Sequence, residues 1–228
     1  YHKWPTCNYK FAHGVGNDDR LLERPEIHWI PGLFSFRIAF MSTPVLQVNK
    51  LTKKYGKFAA VNNVRFEVPK VKVVGLLGPN VAGKTPTIQM LLGITEHGGG
   101  SSSYCGEDFG THRQASLQRI NYTSAYNSLQ GRITVWENLL VFAGLYQATN
   151  PKQKIRELAE YFEISHLFKQ LFQTLSAGQK TRVNLIKCLL NDPELLLMDE
   201  PTASLDPDIA DKTLSLIEQL KAERGLSI

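Results

Sequence analysis

The sequence has little cysteine, no long hydrophobic run and no block of like charge. The three cysteines, Cys7, Cys105 and Cys188, lie far apart and form no CxxC pair, which excludes a disulfide scaffold and gives no support for a cysteine-based metal site. The longest weakly charged apolar stretch, residues 32–41, is about half the length that a membrane-spanning helix needs. We therefore expect no transmembrane segment, and without five consecutive like charges we expect no polybasic arm.

What remains is an ordinary globular composition. The 228 residues are 43% hydrophobic and 21% charged, with 17 Gly and 11 Pro. These values exclude collagen-like and wholly disordered chains and predict one domain, or one domain with an appendage. The net charge of +5 suits a nucleic acid, a phosphate ligand or an anionic membrane surface, and selects none of them.

Residues 1–40 show no clear periodicity, whereas hydrophobic and polar residues alternate from Val45 onward. Alternation over residues 45–48 and 64–68 is typical of β-strands. We therefore expect the folded domain to span residues 41–228. Because the first forty residues contain no secretory signal pattern, we interpret them as a disordered or non-native N-terminal extension, such as upstream translated sequence or a fusion remnant.

A phosphate-loop motif directly follows an apolar run. Residues 71–77 are nearly all apolar, as in a strand buried on both faces, and residues 78–85 match GxxxxGK[ST] before a helical pattern. Backbone N–H groups of such a loop bind phosphate oxygens, Lys84 supplies a positive charge, and the Thr85 hydroxyl suits Mg²⁺. The residues expected to bind the nucleotide here are Gly78, Pro79, Asn80, Val81, Ala82, Gly83, Lys84, Thr85 and Pro86.

A second apolar run, residues 195–198, ends in Asp199 and Glu200. Ligands of open α/β sheets lie beyond the carboxyl ends of the strands, where the phosphate loop also lies. Asp199 is therefore expected to hold Mg²⁺, directly or through water, and Glu200 to polarise an attacking water molecule. Taken alone, the same residues also fit a plain strand end followed by a turn at Pro201.

A glycine-containing turn, residues 175–179, precedes an amphipathic helix. Ser176 and Gly178 at the start of that helix predict an anion-binding spot, formed by backbone N–H groups and the helix dipole. By itself this signal is weak, because a serine in front of a helix is usually an N-cap.

Together these motifs resemble, in their order and spacing, those of the ATP-binding subunit of ABC transporters. Residues 78–85 match the Walker A motif, residues 175–179 the LSGGQ signature, and residues 195–200 the Walker B motif, while residues 203–206 correspond to the D-loop. Tyr55 stands where the family stacks an aromatic ring on adenine. The likeness extends from about residue 44 to the end of the sequence.

The resemblance implies an α/β fold: a P-loop NTPase core of the ABC type with an antiparallel β-subdomain and an inserted helical subdomain at about residues 126–174. It implies ATP and Mg²⁺ as cofactors, with Glu200 and Lys84 as catalytic residues and with Thr85 and Asp199 at the metal. Three residues, Ser176, Gly178 and Gln179, would serve the nucleotide of a partner subunit, and Asp206 would carry communication between the two sites.

The implied partners follow from the same resemblance. ABC ATPase subunits form head-to-tail dimers, here a homodimer or a heterodimer, that bind a transmembrane permease subunit. Such a subunit is cytoplasmic and lies peripherally on the inner face of the cell membrane. No nucleic acid is expected, and residues 131–139 resemble exporter-type cassettes.

The sequence departs from the family pattern at several positions. Val81 stands where the family usually has glycine, Pro86 brings no N–H to the phosphate loop, and Ala125 takes the place of the Q-loop glutamine. The sequence stops at Ile228, at what resembles the start of the next strand and before the switch histidine of the family. Residues 97–103, HGGGSSS, favour a flexible loop where the family has a turn and a strand.

These departures leave alternatives open. One is a degenerate subunit that binds nucleotide without turnover, and near-zero turnover is our expectation for this chain. Another is a soluble ABC ATPase that acts on nucleic acid or ribosomes, which the basic charge suits. A truncated or error-bearing gene copy would account for all the departures together.

Overall fold

The computed structural model describes residues 10–13, 43–77, 83–124, 129–202 and 205–228. Within them the strands are β1 (Lys10–His13), β2 (Leu46–Tyr55), β3 (Phe58–Val68), β4 (Val74–Leu77), β5 (Gly99–Tyr104), β6 (Glu107–Asp108), β7 (Ile120–Ser124) and β8 (Leu195–Asp199). The helices are α1 (Lys84–Leu91), α2 (Arg113–Gln118), α3 (Val135–Leu145), α4 (Pro151–Tyr161), α5 (Ala177–Leu189) and α6 (Pro207–Arg224), with 3-10 turns at Ser165–Leu167 and Phe172–Thr174.

An antiparallel sheet in the order β3-β2-β5-β6 forms one layer. The β2–β3 hairpin brings Leu46 opposite Val68 and Tyr55 opposite Phe58, and Gly56 at φ 59° makes the turn. Leu46 and Val48 are buried while the residues between and after them face solvent, so the alternation seen in the sequence forms one buried face. The strand predicted at residues 64–68 is confirmed as the end of β3.

The prediction of a flexible loop at residues 97–103 is wrong. Gly99–Tyr104 forms β5, which pairs antiparallel with β2 from Thr52 to Leu46. Gly100 adopts φ 89° and a Cβ there would lie 2.4 Å from the carbonyl oxygen of Lys50, so the glycine permits a close approach between the strands. Ser102 is buried under the sheet.

A parallel ladder joins β7 to β8, with Ile120 opposite Leu195. Beyond β8, Ser227 accepts a backbone bond from Leu196 at 2.9 Å, and Ile228 accepts one from Val74 at the start of β4 at 2.8 Å. Ser227 forms an isolated parallel bridge with Leu195, so residues 227 and 228 lie between β8 and β4. That this end is the start of a strand stays a prediction.

The apolar run at residues 71–77 is a shorter and less buried strand than predicted. Only Val74–Leu77 forms β4, because Val71 turns the chain at φ 56° and its N–H bonds to the Ser227 hydroxyl at 2.9 Å. β4 is only partly buried, and a cavity of about 410 Å³ opens between it and β8. Strand β4 also pairs antiparallel with β1, and Lys10 lies opposite Leu77.

The helical region, which comprises α3, α4 and the two 3-10 turns (residues 135–174), packs on an apolar cluster that it shares with α5, β8 and α6. Ile155, Leu158, Phe162 and Leu167, which repeat at helical spacing in the sequence, are all buried against α3 and α5. None of the helices in the described ranges is both long and apolar enough to cross a membrane. The division into an extension over residues 1–40 and a domain over residues 41–228 stays a prediction, because most of that extension lies outside the described residues.

Candidate nucleotide-binding site

The phosphate-loop motif begins immediately after β4 and ends at α1. Five of its predicted residues, Gly78, Pro79, Asn80, Val81 and Ala82, lie outside the described part of the chain. The described part resumes at Gly83, the residue before the first turn of α1. The strand, the motif and the helix therefore follow one another as the sequence predicts.

Gly83 holds a position that only glycine fills without strain. Its φ is 81°, and a Cβ there would lie 2.2 Å from the backbone oxygen of Ala60 on β3. Real Cβ atoms never approach an oxygen so closely, and a left-handed conformation disfavours other residues by roughly 1–2 kcal/mol. The end of the loop is thus pressed directly against the antiparallel sheet, a contact that the sequence does not reveal.

The first turn of α1 contains Lys84, Thr85 and Pro86. The first intrahelical bond runs from the N–H of Thr87 to the oxygen of Gly83 at 2.9 Å, and the Thr87 hydroxyl donates to the same oxygen at 2.8 Å. An N–H at position 86 would have no acceptor inside the helix, so proline is compatible with the fold here. It removes one donor from a helix start that has no side-chain cap.

The acidic end of β8 lies against this turn. The Thr85 hydroxyl donates to Asp199 Oδ2 at 3.2 Å, and Lys84 Nζ lies 3.9 Å from Glu200 Oε1. The Lys84 side chain is 18% exposed and that of Glu200 44%, so the pair lies at the mouth of the 410 Å³ cavity rather than in the core. Glu200 adopts φ 48°, a left-handed conformation that turns the chain away directly after the strand.

The Thr85 and Asp199 oxygens fit a magnesium ion. Mg²⁺ prefers hard oxygen ligands, and an octahedral ion with bonds of about 2.1 Å puts neighbouring ligand oxygens about 3 Å apart. The two side-chain oxygens are 3.2 Å apart. A hydroxyl and a carboxylate are also the donor types that a phosphate-bound magnesium uses.

The negative charge of Asp199 reaches the neighbouring strand. Burial raises the pKa of Tyr122 on β7, a hydrogen bond with Ser124 acts in the opposite direction, and the charge of Asp199 raises it further. The phenol therefore stays neutral at physiological pH, and it adds no charge beside the acidic residue.

Tyr55 stands at the end of β2, where 51% of it is exposed, and its ring lies 5.4 Å from Lys53 Nζ. Phe58, directly opposite in the hairpin, is 59% exposed. Two exposed aromatic side chains at one hairpin end form a surface on which a flat ring can stack. The sequence reasoning selected Tyr55 and missed Phe58, although the spacing of the two across a Gly-containing turn was a usable signal.

The glycine-containing turn forms a closed helix start. Gln179 N–H donates to the Ser176 hydroxyl at 3.3 Å, and Ser176 N–H donates to Gln179 Oε1 at 2.9 Å, so the two residues form a capping box on α5. At Gly178 a Cβ would lie 3.1 Å from Ile209 on α6. Within this chain, the geometry of residues 176–179 is therefore that of a helix N-cap.

The structure separates the two predicted groups of residues. Ser176, Gly178 and Gln179 line a cavity of about 620 Å³ between the helical region and α6, whereas Lys84, Asp199 and Glu200 line the smaller cavity beside β4. Asp206 is exposed at the start of α6 and its side chain makes no capping bond. Ala125, like the D-loop residues 203 and 204, lies outside the described residues.

A strand that runs through a GK[ST] motif into a helix, beside a second strand that ends in two carboxylates, defines a P-loop nucleotide-binding cassette. The family model described as ABC transporter matches residues 61–203. The chain belongs to the ABC transporter family, and the fold predicted from the sequence, a P-loop NTPase core with an antiparallel sheet, is confirmed.

Named relatives agree with this assignment. The chain is 36% identical to Nod factor export ATP-binding protein I of Ralstonia nicotianae over 73% of its length and 52% of the relative. It is 34% identical to the linearmycin resistance ATP-binding protein LnrL of Bacillus subtilis, over 81% of the chain and 60% of the relative. It therefore spans about half to three-fifths of the length of these curated relatives.

Solved structures share the fold. MJ1267 in its ADP conformation, an ATP-binding cassette of an ABC transporter, superposes with a TM-score of 0.71 at 25% identity, over 80% of this chain and 78% of that one. CbiO1 from Clostridium perfringens, described as part of the ABC transporter complex cbiONQ, has a TM-score of 0.71 at 23% identity, over 81% of this chain and 76% of that one.

Proposed function

We propose that the chain is the ATP-binding and ATP-hydrolysing part of a transporter that moves its substrate through a separate transmembrane subunit. The observation that carries this proposal is the contact between Thr85 and Asp199 at 3.2 Å, with Lys84 and Glu200 beside it. It unites a phosphate-loop hydroxyl, a metal-binding carboxylate, a cation and a second carboxylate at one edge of the sheet.

Each residue has a chemical role in this proposal. Lys84 binds the outer phosphates of ATP, and Thr85 with Asp199 holds the Mg²⁺ that neutralises phosphate charge. Glu200 orients and polarises the attacking water. Tyr55 stacks on adenine. The loop residues Gly78 to Ala82, with Gly83 and the first turn that contains Pro86, would bind the phosphates.

The proposal includes a head-to-tail dimer. Ser176, Gly178 and Gln179 line a cavity different from the one beside Lys84, so they act on a second subunit's nucleotide rather than on that of their own chain. Asp206, exposed at the start of α6, would carry communication between the two sites. Light scattering on Glu200→Gln with MgATP is expected to give the mass of a dimer, whereas Lys84→Ala stays monomeric.

The proposals of a membrane partner and of export are supported by the named relatives and by one exposed surface. Two curated relatives carry names for export or resistance ATP-binding proteins, which supports export. Val141 and Leu145 are exposed on α3 in the helical region, an apolar face suited to a permease segment. The chain would then lie on the inner face of the cell membrane.

The experiment that tests the enzymatic part is phosphate release from MgATP by the full chain and by Glu200→Gln. We expect near-zero turnover by the unmodified chain, barely above background, because Pro86 removes a phosphate donor and Ala125 cannot position water. We expect no release above background by the variant. Equal rates for the two proteins would contradict hydrolysis at this site. MgATP binding without any release would leave a nucleotide-binding subunit that has no turnover.

A further inference from the structure

The outer edge of β7 is covered by side chains instead of by another strand. β7 pairs with β8 on one side, and the described residues place no strand on its other side. Alternate backbone carbonyls of this segment, those of Gln118, Ile120 and Tyr122, point away from β8. All three accept hydrogen bonds from side chains at the carboxyl end of α5 and directly after it.

Asn191 fastens the first part of this edge. Its Nδ2 donates to the carbonyl oxygens of Gln118 at 3.0 Å and Ile120 at 3.3 Å, and its Oδ1 accepts from Asn121 Nδ2 at 2.9 Å. The Asn121 Oδ1 in turn accepts the N–H of Tyr122 at 2.8 Å. The edge groups are thus satisfied one after another by amide side chains.

Lys187 and Cys188 bond the last of the three carbonyl groups, that of Tyr122. Lys187 Nζ and Cys188 Sγ each lie 3.3 Å from the Tyr122 carbonyl oxygen. Burial raises the pKa of the Cys188 thiol, so the thiol keeps its proton and donates. Lys187 is only 7% exposed, and its Nζ lies 5.4 Å from the ring centre of Phe142 on α3.

Burying an ammonium group in order to bond one carbonyl oxygen has a high desolvation cost. The amide of Asn191 does the same work for two carbonyls without a charge, and desolvation of a cation disfavours burial unless its partners compensate. The described partners of Lys187 belong to three elements: its own helix α5, strand β7 and, through the Phe142 ring, helix α3. This position therefore joins the helical region to the sheet.

Both ends of this connection lie at predicted functional residues. Ser124, the last residue of β7, pairs with Asp199 in β8, so the carboxyl end of β7 lies next to the residue that contacts Thr85. At the other end, Ser176 is the N-cap of α5, and Lys187 follows it by eleven positions, about 16 Å along the helix.

We propose that Lys187 is a positioning residue that couples the Ser176–Gln179 turn to the end of β7 at the chain's own nucleotide site. It does so by locking α5 to the Tyr122 carbonyl, so that a change beside Asp199 shifts the whole helix. The inference rests on the proposed function. The competing structural role, covering an exposed strand edge, predicts lower stability and an unchanged response to nucleotide.

The test compares amide hydrogen exchange in the full chain with and without saturating MgATP, at a dilution where the chain is a monomer. The variants are Lys187→Met, the conservative Lys187→Arg, and Lys152→Met as a matched control at an exposed lysine of α4. We expect MgATP to slow exchange at residues 176–183 by about threefold or more in the unmodified chain, Lys187→Arg and Lys152→Met. In Lys187→Met the slowing is lost, although MgATP affinity changes by less than about threefold.

Each other outcome overturns the inference. If Lys187→Met keeps the full MgATP-dependent slowing, Lys187 only covers the strand edge. If the unmodified chain binds MgATP but shows no slowing at residues 176–183, the coupling does not exist and the proposed function survives. If the folded chain binds no MgATP, both fail. Should Lys187→Met not fold, Lys187→Leu, which also removes the donor, is judged by the same criterion.

Discussion

Two helices of this protein begin at sequences that predict phosphate binding, and they begin in opposite ways. Helix α1 follows Gly83, which is left-handed and offers no side-chain cap. Helix α5 follows Ser176, and the reciprocal bonds between Ser176 and Gln179 close its first turn. At the start of α1 no side-chain cap accepts a bond from the first backbone N–H groups. At the start of α5 the Gln179 N–H donates to the Ser176 hydroxyl.

Under the proposed function, this difference separates a site that works within one chain from a site that binds the nucleotide of a partner subunit. An anion at α1 meets N–H groups with no intrahelical acceptor, together with Lys84. An anion at α5 must compete with the Gln179-to-Ser176 bond, a neutral hydrogen bond with a net contribution of about 1 kcal/mol. A hydrogen bond to a charged phosphate contributes more than that, so in the proposed head-to-tail dimer a second subunit's phosphate can replace the capping bond.

The largest effect is expected from a substitution at Gly83. Gly83→Ala places a methyl group against the Ala60 carbonyl in a left-handed conformation, so we expect a loss of at least about 2 kcal/mol in the free energy of unfolding. MgATP binding should be lost as well, because the start of α1 must move. Denaturant unfolding and calorimetry measure the two effects.

The matched control is Gly144→Ala on α3. No atom lies within 4 Å of a Cβ at this exposed helical glycine, so the substitution should stabilise the chain by about 0.5–1 kcal/mol and leave binding unchanged. Similar stabilities for the two alanine variants would show that the approach of the loop to β3 is not required.

A second substitution, Pro86→Thr, restores the missing donor in the first turn of α1. A hydrogen bond to a charged phosphate contributes more than a neutral one, so we expect MgATP to bind about tenfold more tightly. Calorimetric titration of both chains gives the ratio of dissociation constants. Equal affinities would mean that the N–H at this position does not contact the nucleotide.

At α5 the expected effect concerns stability alone. Ser176→Ala removes the cap and should lower the free energy of unfolding by about 1 kcal/mol, while MgATP binding by the monomer stays unchanged. Thermal unfolding and calorimetry measure both. A weaker MgATP affinity in the monomeric variant would place Ser176 at its own chain's nucleotide and undo the distinction between the two helix starts.

The smallest expected effect is a difference in pH dependence between the capping boxes of α3 and α5. Thr134 caps α3 with Glu137, whose carboxylate accepts from the N–H and the hydroxyl of Thr134; these bonds, the backbone one foremost, lower the pKa of Glu137. A lowered pKa means that the stabilisation is present above the ordinary glutamate value and is lost as the pH falls through the folded-state value.

Thr134→Ala should therefore destabilise the chain less in acid than at neutral pH. Ser176→Ala should have the same effect at both pH values, because Gln179 does not titrate. Thermal melts of both variants and of the unmodified chain, at neutral pH and below the ordinary glutamate pKa, measure the contrast. A pH-dependent loss for Ser176→Ala would contradict the assignment of its partner.

Much of the site could be predicted from the sequence because strand ends converge in open α/β sheets. The positions of Lys84, Thr85, Asp199 and Glu200 after two apolar runs predicted their proximity, and the structure places Thr85 against Asp199. The capping role of Ser176 was also foreseen as the simpler interpretation of that turn.

The remaining features depend on contacts between distant segments. The Gly/Ser composition of β5 is that of a linker, yet β2 offers an edge whose close approach only a residue such as Gly100 permits. The strand at residues 71–77 was predicted too long because local hydrophobicity does not reveal the turn that Ser227 fixes at Val71. The covering of β7 by Lys187 and Asn191 likewise joins residues about seventy positions apart in sequence.

Calorimetric titration of the full chain with MgATP, alongside Lys84→Ala, tests the central claim most directly. Our account predicts a single site with a dissociation constant on the order of micromolar and loss of the binding heat in the variant. A folded chain that gives no heat, or a variant that binds as tightly as the unmodified chain, would contradict the assignment of this strand, loop and helix as a nucleotide site.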